Sequence, residues 1–171
     1  MAAADYYNLV QQFYVGFYGR PADEDGLDFW AEQVDAAGGD FTAVLDAFAT
    51  SDEAQSFVFS DPATGEAYSN EELVDNVFQN LFGRDADDAG SEFYVNGLED
   101  GTFTLGTIVK NVIDGAQNED QTTFENKLEV AEYFTNNLGE AEYDSTDITA
   151  ARDVLDGIDE TDASVTSAKA E

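Results

Sequence analysis

Phe17-Tyr18-Gly19-Arg20-Pro21-Ala22-Asp23-Glu24-Asp25-Gly26-Leu27-Asp28-Phe29-Trp30 aligns with Leu81-Phe82-Gly83-Arg84-Asp85-Ala86-Asp87-Asp88-Ala89-Gly90-Ser91-Glu92-Phe93-Tyr94, 64 residues further on. Gly, Arg, Ala, Asp, Gly and Phe recur at equivalent positions. The apolar frame extends backwards: Val10, Phe13, Tyr14 and Phe17 answer Val74, Val77, Phe78 and Leu81. Forwards, Gly39-Asp40-Phe41-Thr42 matches Gly101-Thr102-Phe103-Thr104 after a two-residue deletion. A long internal period of this kind is the mark of a duplicated supersecondary unit.

Each unit reads as helices. Positions 10, 13, 14 and 17 make one apolar stripe at helical spacing. Gly19 suits the left-handed position that ends a helix, with Pro21 just beyond. Asp23 is placed to cap the next helix, whose buried positions are Leu27, Trp30, Ala31 and Val34, and Gly38-Gly39 breaks it. Asp40 or Thr42 opens a third helix with Val44, Leu45 and Phe48, and Ser51 caps a fourth with Ala54, Phe57 and Val58. Asp61-Pro62-Ala63-Thr64-Gly65 is turn-rich, and Ser69 with Glu72 forms a capping box. The second unit continues with Ile108, Val109 and Val112, then a longer helix over about 120–138 that Gly139 ends. Two short helices follow, over about 146–156 with Ile148, Ala151 and Leu155, and over about 162–170. The reading is therefore all-α: a first helical repeat at 1–68, a second at 69–139, about four helices each, and C-terminal helices at 140–171 leading to a missing downstream region.

The 171 residues carry 38 Asp plus Glu against 6 Lys plus Arg, a net charge of −32, with no His and no Cys. Disulfides, zinc sites of the usual kind and Ser-His-Asp or Cys-His nucleophiles are excluded. Contact with nucleic acid is excluded for want of clustered cations. No 18-residue apolar run occurs, so direct membrane insertion is not expected. Spread over the roughly 8,000 Å² surface of a monomer this size, the charge leaves about 250 Å² for each net negative group. Such self-repulsion is tolerable in brine or where divalent cations are abundant. Composition alone leaves a halophilic cytoplasmic protein and a secreted one in calcium-rich surroundings equally open.

Gly19, Arg20 and Trp30, with Gly83, Arg84 and Tyr94, form the repeated structural motif. A lone arginine amid so many carboxylates is expected to take one of them bidentately and to staple helix to turn. Asp23, Asp25 and Asp28 in one loop, and Asp85, Asp87 and Asp88 in the other, are candidate calcium ligands, although the spacing is not that of an EF-hand. Helix capping and a solvated acidic face account for the same residues. Trp30 and Tyr94 are in phase with the core, and Lys127 reads as a surface ion-pair partner.

The pattern at 17–30, followed by Phe48-Ala49-Thr50-Ser51-Asp52-Glu53, resembles the bacterial domain of unknown function 4214. The second copy departs from it at Tyr94 and Asp85, while Asn126-Lys127-x-x-Val130-Ala131-x-Tyr133-Phe134-Thr135 and Ser164-Val165-x-x-Ala168-Lys169 look like endings of such modules. The resemblance runs over about residues 6–170. It implies location more than chemistry: the N-terminal region of a secreted calcium-repeat or S-layer protein, exported by type I secretion with its signal further downstream. A helical domain of that kind holds an S-layer to lipopolysaccharide.

The expected function is accordingly a non-catalytic, extracellular, cell-surface module. It would anchor a larger protein to polysaccharide or lipopolysaccharide with calcium bridging the two acidic partners, and would use no organic cofactor. A self-assembly module forming a lattice or fibre is the alternative. A carboxylate-dependent glycan hydrolase is the remote one, since two nearby carboxylates carry little information among 38.

Overall fold

The computed structural model describes residues 2–137 and 148–170. A 3-10 turn (Ala3–Tyr6) leads into α1 (Tyr7–Phe13), which runs on without a break as a π-helical stretch, Tyr14–Tyr18. Every residue from Phe13 to Pro21 is buried. The expected one-sided stripe is thus too narrow, because a helix enclosed on all sides has no solvent face to keep polar. Gly19 ends it with φ of 65° and an amide that donates to the Val15 carbonyl at 3.0 Å.

The caps then set the helices in order. Asp23 accepts from the Gly26 amide and opens α2 (Glu24–Ala36), which buries Leu27, Ala31 and Val34. Gly38 and Gly39 stop it with φ of 70° and 95°. Asp40 accepts from the Thr42 amide at 2.9 Å where α3 (Thr42–Thr50) begins, and Ser51 caps α4 (Asp52–Phe57). One antiparallel bridge, Ser60 to Ala67, closes the connector. The Ser69–Glu72 capping box opens α5 (Asn70–Phe82), Asp87 caps α6 (Asp88–Glu99), and Thr104 caps α7 (Leu105–Gly115). The long helix α8 covers Asn118–Asn137, and α9 (Ile148–Asp153) and α10 (Asp162–Ala168) finish the chain. The fold is all-α, with ten α-helices and no strand among the described residues. The expected stop at Gly139 and the start of the next helix at about 146 lie outside them.

Packing joins both halves of the chain in one core. Helix α3 lies on α7, α5 lies on the π-helical stretch and on α6, and α8 crosses α1 and α5. Phe48 is the hub of the first half, its ring 4.9–5.9 Å from those of Phe13, Tyr14, Phe17, Tyr18 and Trp30. In the second half Phe78, Tyr94 and Phe103 meet, at 5.6–5.9 Å. Leu155, Ile158 and Val165 from the C-terminal helices belong to the same apolar cluster. No helix among the described residues is long and apolar enough to cross a membrane.

Candidate functional site

The two arginines are built into the fold in the same way. Arg20 gives Nε and Nη2 to the Glu53 carboxylate at 2.7 and 3.0 Å and Nη1 to the Pro21 carbonyl at 3.0 Å. Arg84 gives Nε and Nη2 to Asp120 at 2.8 and 2.6 Å and Nη1 to the Asp85 carbonyl at 2.7 Å. Each fork ties the turn after α1 or α5 to the start of the third helix onward, α4 or α8, and lies over the rings of Tyr14 and Tyr18, or of Phe78. The pairs differ in depth: the Arg20 side chain is 7% exposed and that of Arg84 43%. The hydrogen bond to Asp120 raises the Arg84 pKa further. Tyr94 is buried and Trp30 partly so, both against the core.

Lys127 departs from expectation. It is 5% exposed, and its ammonium donates to the carbonyl of Asn80 at 2.7 Å and less closely to that of Gln79. It faces inward because α8 crosses the end of α5, where the Asn80 carbonyl is one of those that a helix end leaves without an intrahelical donor; the Gln79 carbonyl also accepts from the Gly83 amide. Burial lowers its pKa to about 8.

The candidate calcium ligands are spread over separate local tasks. Asp23 caps α2 and stands 3.6 Å from Arg20, Asp28 accepts from the Tyr7 hydroxyl, and Asp87 caps α6. Asp85 accepts from the Gln79 amide at 2.7 Å, while Asp25 and Asp88 occupy first helical turns. Among the described residues, no three acidic side chains converge as a metal-holding group.

A groove opens where α1, the start of α2 and the end of α8 meet. It comprises two adjoining pockets of about 300 and 230 Å³ that share Tyr7, Leu27, Thr135 and Asn136. Asn8 and Gln11 come from α1, Glu24 and Asp28 from α2, and Glu132 from α8. Asn8 donates to Glu132 at 3.0 Å. The Tyr7 hydroxyl donates to Asp28, which raises the phenol's pKa. Gln11 is 1% exposed. Its Oε1 stands 3.5 Å from the Thr135 hydroxyl, which itself donates to the Ala22 carbonyl at 2.7 Å, and its Nε2 has no partner. Whichever way the amide is turned, one end is left unbonded. The groove thus offers amide donors and acceptors, carboxylates and one aromatic ring, with no cation among its lining residues.

Sequence reasoning missed this groove. The one signal was Gln11, a polar residue between the apolar positions Val10 and Phe13; its neighbour Thr135 lies 124 positions away.

Residues 54–122 match the family model described as a domain of unknown function (DUF4214). The match runs from α4 into α8 and includes Gly83, Arg84, Tyr94 and Asp120. It is narrower than the resemblance over 6–170, and it falls on the second motif rather than the first. No curated protein and no solved structure matches the chain. The Arg84–Asp120 staple is therefore internal to the DUF4214 segment, whereas the groove is built from residues outside it.

Proposed function

We propose that the chain is a non-catalytic, secreted cell-surface module. It anchors or assembles a larger S-layer-like protein through calcium-assisted contact with surface polysaccharide or lipopolysaccharide. The observation that supports this reading is the groove between α1, α2 and α8, with its mixture of amides, hydroxyls and carboxylates around the unpartnered Nε2 of Gln11. A sugar ring presents hydroxyls that both donate and accept, and such a lining can answer both roles. Glu24, Asp28 and Glu132 would repel anionic substituents unless calcium, a hard cation with oxygen ligands, bridged them.

The test is binding to purified lipopolysaccharide by surface plasmon resonance. Asn8→Ala with Asn136→Ala, both at exposed groove positions, is expected to weaken binding about tenfold, the loss of one to two hydrogen bonds. Chelator is expected to abolish it. Full binding by the double variant in chelator would reject the reading.

Self-assembly is the second reading, and it too has a specific support. Phe29 and Phe93 occupy equivalent motif positions and are 52% and 61% exposed, more than a buried apolar role requires. Calcium-dependent light scattering in the absence of glycan, lost in Phe29→Ser with Phe93→Ser, would favour it.

A further inference from the structure

Among the described residues, Arg20, Arg84, Lys110 and Lys169 each hold a carboxylate. Lys127 and Arg152 hold backbone carbonyls and an amide oxygen instead. In a chain with a net charge of −32, two neighbouring cations with no carboxylate in ion-pair contact among the described residues call for a reason, although Glu53 and Asp153 act on Arg152, and Asp156 on Lys127, from further off. Both line one cavity of about 180 Å³, where the end of α5, the middle of α8, and α9 with the turn after it come together.

Lys127, Arg152 and Asn80 bring donors to the wall beyond those they use, beside the carboxylates of Asp153 and Asp156. Lys127 has three N–H groups and uses them on the carbonyls of Asn80 and, at a longer 3.4 Å, Gln79. Arg152 has five; Nη1 donates to the Tyr18 carbonyl and Nη2 to Asn80 Oδ1 at 3.0 Å. With its oxygen taken by Arg152, the Asn80 amide leaves Nδ2 without a partner, on a residue only 8% exposed. Gly19 makes the arrangement sterically feasible: a Cβ there would stand 3.2 Å from Arg152 Nη1 and 3.0 Å from Asn80 Oδ1. We propose that this cavity binds an oxyanion group, carboxylate, sulfate or phosphate, through the Lys127 ammonium, the Arg152 guanidinium and the Asn80 amide. An oxyanion brings acceptors only, which is what surplus donors require, and charge-assisted bonds to it are the strong kind. The site shares none of its lining residues with the groove and stands without the anchoring reading.

Two opposing influences shape its behaviour. Asp153 and Asp156 also line the cavity, and the acidic surface repels anions at long range; at 1 M salt the screening length falls to about 3 Å and that barrier disappears. Burial first, with Arg152 adding to it and Asp156 opposing it, sets the Lys127 pKa at about 8. Binding should therefore fade as pH rises from 7 to 9.5.

The test is a titration of the intact, nitrogen-15-labelled protein in 1 M NaCl, following the Asn80 side-chain amide and the Arg152 Nε–H by NMR. Sodium sulfate and methyl glucuronide are the two probes, with additional NaCl as control. Saturable shifts at Asn80 are expected. A response to both probes means any oxyanion, to sulfate alone a free inorganic ion, and to the glucuronide alone an acidic sugar. Arg152→Gln is expected to weaken binding about tenfold. Absence of a saturable shift with both probes, a shift that NaCl reproduces, or unweakened binding by a folded Arg152→Gln protein would overturn the proposal. Should that variant fail to fold, sulfate affinity unchanged between pH 7 and 9.5 in the parent protein would overturn it equally.

Discussion

Lys127 carries its charge into the interior, and the consequence is a stability that depends on pH in an unusual direction. In the unfolded chain a lysine titrates near 10.4; in the fold, burial lowers it to about 8. Between those values the unfolded state holds more protons, so stability rises with pH, by about 3 kcal/mol at most. Above about pH 10 the buried phenols reverse the trend. Burial raises Tyr14 and brings Tyr18 to about 12, so an unfolded tyrosine ionises first. Urea unfolding is thus expected to show stability climbing from pH 8 to about 10 and falling beyond it, with the climb missing in Lys127→Met. A flat profile in the parent would contradict a buried ammonium. The arginines make a second comparison at this scale. Arg20→Ala removes a buried guanidinium from the partly buried Glu53 carboxylate and should cost about 3 kcal/mol. Arg84→Ala removes a far more exposed pair and should cost about 1 kcal/mol or less. Thermal unfolding of the two variants side by side measures the difference.

At the scale of elements, the π-helical end of the first helix is what brings the halves of the chain together. Gly16 lies in it, and a Cβ there would clash with Val109 Cγ1 of α7 and meet Leu81 Cδ2 of α5 at 3.4 Å. Alanine is the better helix former by about 1 kcal/mol, yet Gly16→Ala is expected to destabilise by about 1–3 kcal/mol because the packed core cannot yield that space. Val109→Ala in the same chain should recover part of the loss, a coupling that a double-mutant cycle reads directly. Additive losses would mean that the close approach is not the cause. Several helix starts were legible in the sequence. Asp23 to the Gly26 amide, Ser69 with Glu72, and Asp87 to the Gly90 amide are bonds across three residues, and such bonds depend on little beyond the local chain.

For the whole molecule, the balance is between one shared apolar core and an acidic surface. Helices α3 and α7 pack together, and α8 spans α1 and α5, so unfolding one half exposes the other. Self-repulsion opposes that compact state and salt screens it. The urea midpoint is therefore expected to rise steeply as NaCl goes from dilute to about 1 M, as the Debye length drops toward 3 Å. A midpoint indifferent to salt would mean that the net charge of −32 is neutralised by bound cations already.

The sequence by itself determined the all-α class, the capped starts of α2, α4 and α5, the glycine stops at Gly19 and Gly38-Gly39 and the stapling role of Arg20 and Arg84, because periodicity, capping and glycine conformation act within a few residues. It also made both arginines seek carboxylates, since they are so outnumbered. Only the tertiary structure decided which carboxylates: Glu53 and Asp120 lie 33 and 36 positions away. It alone turned Lys127 inward onto α5 and set Gln11 beside Thr135 across 124 positions. Those outcomes depend on which helix comes to lie against which, and a crossing of helices leaves no periodic trace in either strand of sequence.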